Sequence, residues 1–307
     1  MRKPSITVGI TCFNEGPLLL EALDSVRSQT FTDWECVVVN DASDHEPTNE
    51  ICRQVEAAGD RRFRVVWREE NGGLSASRNT AVAAARTRLY VILDADDLLP
   101  ARALEWIHAA FEDDPEAGFV YGSYEAFEEW EYTHDPPTRL KQADFLNGLP
   151  FTGATPFRVS TWERVGGYPL ELSYGMQDWG FWMAVAEAGI QGAYVDACIY
   201  RYRARRDSMA RRRGRKYPAI YEFLYREHSD FIHRYGMGRR FLGRGYTRGA
   251  RCVYVEGDTA TARRWAFTAL CRGDWQWSNV RILLMTTVLL PVRAVRRSLL
   301  DKAEREG

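Results

Sequence analysis

Three carboxylates in four positions, Asp94, Asp96 and Asp97, follow the apolar run Leu89–Leu93. Acids held this close repel one another, so gathering them costs free energy unless a cation intervenes. Hard divalent cations take oxygen ligands, and magnesium commonly takes one or two carboxylates plus substrate phosphates. Asp94-Ala95-Asp96-Asp97 therefore reads as a diphosphate and metal anchor, with an acidic helix-capping turn as the plainer alternative. Asp41, after Val37-Val38-Val39, could accept the N3–H of a uracil ring; an Asx turn is the alternative. Asn71-Gly72-Gly73 leads into a helix with Ser75, Arg78 and Asn79. Its glycines would let backbone approach a ligand beside a helix N-terminus. Asp178, in Met176-Gln177-Asp178-Trp179, stands at a helix start, where the dipole favours its ionised form. Near a cleft such a carboxylate can act as general base, or it is simply an N-cap. Tyr200-Arg201-Tyr202-Arg203, followed by Asp207-Ser208-Met209, reads as a basic lid over phosphates or as a solvated loop.

These residues need elements to position them. Apolar, β-branched runs at Ile6–Cys12, Cys36–Val39, Phe63–Trp67, Leu89–Leu93 and Phe119–Tyr121 alternate with helical spacing at 18–26, 51–58, 75–86 and 101–111. Continuous apolar strands between helices imply an α/β fold with a parallel sheet covered on both faces. Ligands in such sheets bind beyond the carboxyl ends of the strands. Thr11, Asn14 and Glu15, then Asn40 and Asp41, then Arg68, then Asp94 to Asp97 are the residues the sequence puts there. From Asp178 an amphipathic helix is expected, with Phe181, Trp182, Val185 and Ala186 on its apolar side. Residues 201–216 carry nine basic residues, too many to pack, and 217–280 reads as helical and aromatic-rich.

The chain of 307 residues is 45% hydrophobic and 27% charged, which excludes a disulfide mini-protein, a fibre or a disordered tail. Its net charge of −1 hides a split: residues 201–307 hold 25 Lys+Arg against 10 Asp+Glu, so the first 200 residues are acidic. A basic back half attracts phosphate or anionic lipid. No two of the six cysteines have Cys-x-x-Cys spacing, so a zinc site is not expected and a reducing compartment fits. Met1 to Ser5 offers no apolar stretch, so no secretory signal is expected. No P-loop and no Gly-x-Ser-x-Gly elbow occurs.

Taken together, six motifs in order resemble the inverting glycosyltransferases of family 2, with the GT-A fold. They are Thr11-Cys12-Phe13-Asn14-Glu15, Val39-Asn40-Asp41-Ala42-Ser43, Gly73-Leu74-Ser75-Ala76-Ser77-Arg78-Asn79, Asp94-Ala95-Asp96-Asp97, Gly166-Gly167-Tyr168 and Gln177-Asp178-Trp179. The resemblance covers residues 5 to about 209 and implies a Rossmann-like GT-A catalytic domain over 1–209, followed by a basic helical extension over 210–307. It implies that Thr11, Phe13, Glu15, Asp41 and Arg68 line a nucleotide pocket, with Gly73, Arg78 and Ala95 also against the nucleotide-sugar, and that Asp94 faces the ribose or donor sugar. Asp96 and Asp97 would bind Mg²⁺ or Mn²⁺. Asp178 matches the catalytic base, and Arg203 and Ser208 match a segment that closes over the donor. Asn40 and Gln177 depart from the acids usual at their positions.

The implied reaction moves one sugar from a nucleotide-sugar, UDP by preference, to an acceptor hydroxyl. The acceptor would be a glycan or lipid-linked molecule in cell-surface polysaccharide synthesis. The processive members' Gln-x-x-Arg-Trp is reduced here to Thr261-Ala262-Arg263-Arg264-Trp265, which lacks the glutamine. Residues 280–300, apolar with a basic flank, read as a helix on an anionic membrane surface or as ordinary packing. The location expected is cytoplasmic, peripheral on the inner face of the membrane. A catalytically inactive nucleotide-sugar-binding module and a nucleic-acid-binding protein using the arginine cluster are the rival readings; the acidic front half argues against nucleic acid.

Overall fold

Every residue of β1 (Ile6–Cys12) and β2 (Trp34–Asn40) is buried, as strands covered on both faces must be. In the computed structural model, which describes residues 4–172, 175–205 and 214–289, they form the middle of a parallel block. β3 (Phe63–Trp67) pairs with β2, and β4 (Leu89–Asp94) pairs with β1. The sheet continues through β5 (Phe119–Glu128), β6 (Tyr132–His134), β7 (Phe157–Arg158) and β8 (Gly192–Ala204). Its order is β3-β2-β1-β4-β7-β5-β6, with β8 beside β5. β7 runs antiparallel to β4 and β5, and β6 antiparallel to β5, so the sheet is mixed. Strand order reverses between β1 and β4, which opens the crevice where such sheets bind ligands. Thr11 and Asp94 are register partners across that switch.

Helices α1 (Leu18–Arg27), α2 (Glu46–Ala57), α3 (Gly73–Ala83) and α4 (Ala103–Asp113) connect the parallel strands and lead on to β5. Each buries one face; α1 uses Leu19, Ala22, Leu23 and Val26. α5 (Val159–Val165) precedes the Gly166-Gly167-Tyr168 turn. α6 (Gln177–Glu187) was expected to be amphipathic, and that expectation is corrected. Gln177, Trp179 to Met183, Val185 and Ala186 are all buried, because Phe119, Phe151, Phe157 and Tyr168 pack their rings against Phe181 and Trp182. A second correction concerns Tyr200 to Arg203, expected in a mobile basic lid. They are the closing residues of β8, hydrogen-bonded into the sheet beside Tyr124 to Phe127.

By contact the chain divides into two compact units, Met1–Ser208 and Met209–Gly307. The second is helical over its described residues. α7 (Tyr217–Glu227) and α8 (Ser229–Arg234) precede α9 (Gly238–Val255), which packs on α7, on α10 (Thr259–Cys271) and on α11 (Trp277–Leu284). Ala250, Val253, Ala262, Ala266 and Ile282 form its core. Buried Asp274 in the α10–α11 turn accepts from Thr247 Oγ1, and Asn279 Nδ2 donates to Thr247 Oγ1 at 2.8 Å and to the Asp274 carbonyl at 3.0 Å. All six cysteines are free thiols.

Candidate active site

The carboxyl ends of β1, β2, β3 and β4 deliver the polar residues the sequence singles out. At the end of β2, Asp41 is buried and organises its neighbours. Its Oδ1 accepts from the Gly72 N–H at 3.1 Å, its Oδ2 from the Gly73 N–H at 2.9 Å, and the Arg68 Nε lies 2.7 Å from Oδ1. Gly73 has φ +75°, a left-handed conformation that its lack of Cβ permits. The glycine loop is thus fixed to the β2 terminus before any ligand arrives. Arg68 also donates to Thr80 Oγ1 at 2.7 Å.

At the end of β1, Phe13 is 42% exposed, while Thr11 is buried with an Oγ1 that has no hydrogen-bond partner among the described residues. A buried hydroxyl left unpaired costs free energy that a bound ligand can recover. Glu15 accepts from the Phe13 N–H. Burial pushes the Glu15 carboxyl up to about 7, and the charges of Asp96 and Asp94 add to that effect against backbone hydrogen bonds. Burial and Asp94 likewise push Asp96 up to about 6. Glu15, Asp94 and Asp96 are therefore acids crowded at one strand-end cluster.

The turn after β4 sorts its aspartates by role. Asp94 is held by Arg78, whose Nη2 reaches both carboxylate oxygens at 2.7 and 3.0 Å. Asp96 is partly exposed, with Arg205 Nη1 3.7 Å away. Asp97 was expected beside Asp96 on the metal, and the geometry corrects this. It is 1% exposed, and its two oxygens accept from the Arg203 N–H at 2.6 Å and the Tyr200 hydroxyl at 2.7 Å. Its lone pairs are directed into the protein. The Ala95 side chain is buried beneath the turn.

Arg203, expected to reach the donor, is corrected for the same reason. Its guanidinium is buried and donates to the Asp96 carbonyl at 2.6 Å, to Glu128 at 2.8 Å and to Glu21 at 2.6 Å. It anchors the aspartate turn to α1 and β5. Tyr200 ties the same turn to β8, since its hydroxyl also accepts from the Asp94 N–H at 3.2 Å. Neither role was legible from a run that reads as solvated charge. Ser208 lies outside the described residues.

Arg78 is likewise a connection rather than an open surface group. It is buried beneath Asp94, 5.6 Å from the Tyr168 ring centroid. Burial works against its charge, but Asp94, Tyr168 and Asp178 more than offset that and hold its pKa above the usual guanidinium value. Asp178 is one of the negative charges that act on Arg78. It sits in the first turn of α6, partly buried, with Oδ1 accepting from the Trp179 N–H at 2.8 Å. A Cβ on Gly153 would stand 2.4 Å from Asp178 Oδ2, so glycine there leaves room for the carboxylate. Asn79 explains the glycine-rich motif. Its Oδ1 accepts from Trp162 Nε1 at 2.9 Å and from the Tyr168 N–H at 2.8 Å, and its Nδ2 donates to the Tyr168 carbonyl at 2.9 Å.

The donor set suits a magnesium- or manganese-type ion. Among the described residues no three His, Cys, Asp or Glu side chains are grouped to enclose a metal. Asp96 offers a half-exposed oxygen ligand among mutually repelling acids, the arrangement an ion shared with substrate phosphates would complete.

The family model for glycosyl transferase family 2 matches residues 7–162. The chain belongs to glycosyl transferase family 2, and its catalytic fold is GT-A. EpsE of Bacillus subtilis is 26% identical over 68% of this chain and 76% of its own length. The protein y4gI of Sinorhizobium fredii is 37% identical, but over 38% of this chain and 13% of that longer protein. Among solved structures, Staphylococcus aureus TarS in complex with UDP-GlcNAc superposes with TM-score 0.66 at 16% identity, over 86% of this chain and 79% of its own. The mannosyltransferase PcManGT of Pyrobaculum calidifontis, in complex with GDP-Man and Mn²⁺, gives 0.55 at 21% identity, over 98% and 89%. Among the described residues no helix is long and apolar enough to cross a membrane.

Proposed function

We propose that this family 2 glycosyltransferase moves a single sugar from a nucleotide-sugar to an acceptor hydroxyl with inversion at the anomeric carbon. The observation that carries this reading is the turn after β4, where Arg78 orients Asp94 at 2.7 Å and Asp96 stays partly exposed, in a chain that belongs to glycosyl transferase family 2. Asp178 takes the proton of the acceptor hydroxyl as general base. The freed oxygen bonds to the anomeric carbon as the bond from that carbon to the diphosphate oxygen breaks, and the nucleoside diphosphate leaves with the electron pair. General-base assistance of this kind contributes roughly 10²–10⁴-fold.

Asp96 would hold Mg²⁺ or Mn²⁺. When bound, such an ion supplies neutralisation of the charge that develops on the leaving diphosphate. Arg203 and Tyr200 keep the Asp96 backbone in place through the contacts described above. UDP is the proposed nucleotide. Support comes from the UDP-GlcNAc complex of the similarly folded TarS. GDP is the competing nucleotide, as in the PcManGT complex.

The proposed acceptor is a glycan or lipid-linked glycan, with the chain resting on an anionic membrane surface near residues 280–300, of which 290–300 lie outside the described residues. A transfer assay with a panel of UDP- and GDP-sugars and Mn²⁺ tests the reading. Turnover of one donor by the wild type and its loss in Asp178→Asn are expected. Donor binding with no turnover under any acceptor would favour the inactive binding module instead.

A further inference from the structure

The second unit turns large apolar side chains outward. Trp275 is 76% exposed, Trp277 71% and Phe267 61%. Burying a tryptophan or phenylalanine is among the larger single gains available to a folded chain, so three left in solvent on one helical hairpin need a reason. They are not loosely held. Asp274, one residue before Trp275, is buried and tied to Thr247 and Asn279, which fixes the turn.

Their neighbours follow helical spacing. On α10, Arg263, Arg264 and Phe267 share the outward face, one turn apart; on α11, Trp277, Arg281 and Leu284 do the same. Between the two helices runs an open groove of about 590 Å³, lined by Arg263, Arg264, Phe267, Leu283 and Thr287. Exposed aromatic rings and arginines on these two helices and their turn match the interface of an anionic bilayer. There aromatic rings sit at headgroup level and each nearby cation is attracted to the negative surface. Residues 209–307 carry 21 Lys+Arg against 9 Asp+Glu, so the unit as a whole is drawn to such a surface.

We propose that the outward face of the α10–α11 hairpin, with Trp275, Trp277 and Phe267 as insertion points and Arg263, Arg264 and Arg281 as headgroup contacts, docks on anionic phospholipid. The proposal rests on the membrane-surface reading above and names its contact, but it does not depend on the sugar chemistry.

Flotation of the full chain with phosphatidylglycerol-containing vesicles, against pure phosphatidylcholine vesicles, tests it. Wild type floats with the anionic vesicles, and raised salt reduces the bound fraction. Trp275→Ala with Trp277→Ala, and separately Arg263→Glu with Arg264→Glu, each lower that fraction at least fivefold. Thermal melting stays unchanged, since these side chains are exposed. Tryptophan emission shifts to the blue on vesicle addition in wild type and not in the double tryptophan variant. No vesicle binding by wild type overturns the membrane reading altogether. Undiminished binding by both variants overturns only the assignment to this face. A wild-type dimer that the tryptophan variant dissociates, seen by light scattering, makes the face a contact between copies of the chain and also overturns the proposal.

Discussion

Arg78 Nη2 donates to both carboxylate oxygens of Asp94, at 2.7 and 3.0 Å, from a position buried beneath the strand-end turn. A motif on α3 thus sets the orientation of the first aspartate of another motif on β4. Removing one partner of a buried ion pair is strongly destabilising, because the other charge is left uncompensated. Arg78→Met, which keeps much of the volume, is expected to lower stability by about 3 kcal/mol, the lower end of the usual range because Asp94 still sees some solvent. Denaturant unfolding checks it; a loss under about 1 kcal/mol would mean that the pair is not structural.

Asn79 satisfies two donors and one acceptor of the Trp162 and Tyr168 region. Asn79→Ala leaves the indole N–H and a backbone N–H without their acceptor. Each unsatisfied buried group costs about 1–3 kcal/mol. The variant should melt earlier, and its donor affinity should fall less than its kcat, since the turn it fixes precedes Asp178 rather than the nucleotide loop. Equal loss of both would place Asn79 on the donor side.

The pH dependence of stability has a definite sign. Glu15 in the folded chain is pushed up to about 7 by burial and by Asp96 and Asp94, above the ordinary value of 4.5. The folded state therefore binds the Glu15 proton more tightly than the unfolded state does. Its contribution is fully present below about pH 4.5 and is lost as pH rises through about 7. In metal-free buffer, wild type should lose stability relative to Glu15→Gln between those values, and Mn²⁺ should shrink the difference. Urea melts across that range decide it: parallel curves for the two proteins would remove the carboxylate crowding.

Asp96 and Asp97 separate by metal dependence. EDTA should abolish transfer and Mn²⁺ or Mg²⁺ restore it. Asp96→Asn should raise the Mn²⁺ concentration for half-activation more than tenfold. Asp97→Asn, which disturbs the Tyr200 and Arg203 contacts, should lower the melting temperature and leave the metal requirement within about threefold. The reverse pattern would make Asp97 the ligand.

The parallel block was legible because its strands are continuous apolar runs and its helices keep a 3.6-residue spacing. The residues at the strand ends followed from that order, and Asp41, Gly73 and Asp94 stand where the spacing put them. β8 was not legible. Its last residues, Tyr-Arg-Tyr-Arg-Ala, alternate in the manner of a strand but read as solvated charge, since sequence alone does not reveal that Glu21, Glu128 and the Asp96 carbonyl would neutralise a buried arginine. For the same reason Asp97 looked like a ligand: adjacency to Asp96 says nothing about which carboxylate turns inward. α6 misled because its polar residues are few and the aromatic stack around Trp182 closes over nearly every face.

The most direct test of the transferase mechanism is the steady-state rate of Asp178→Asn beside its donor affinity from calorimetry. A fall in kcat of roughly 10²–10⁴-fold with the donor Kd within about twofold of wild type is the predicted result. Wild-type turnover in the variant would contradict the assignment of Asp178 as the base.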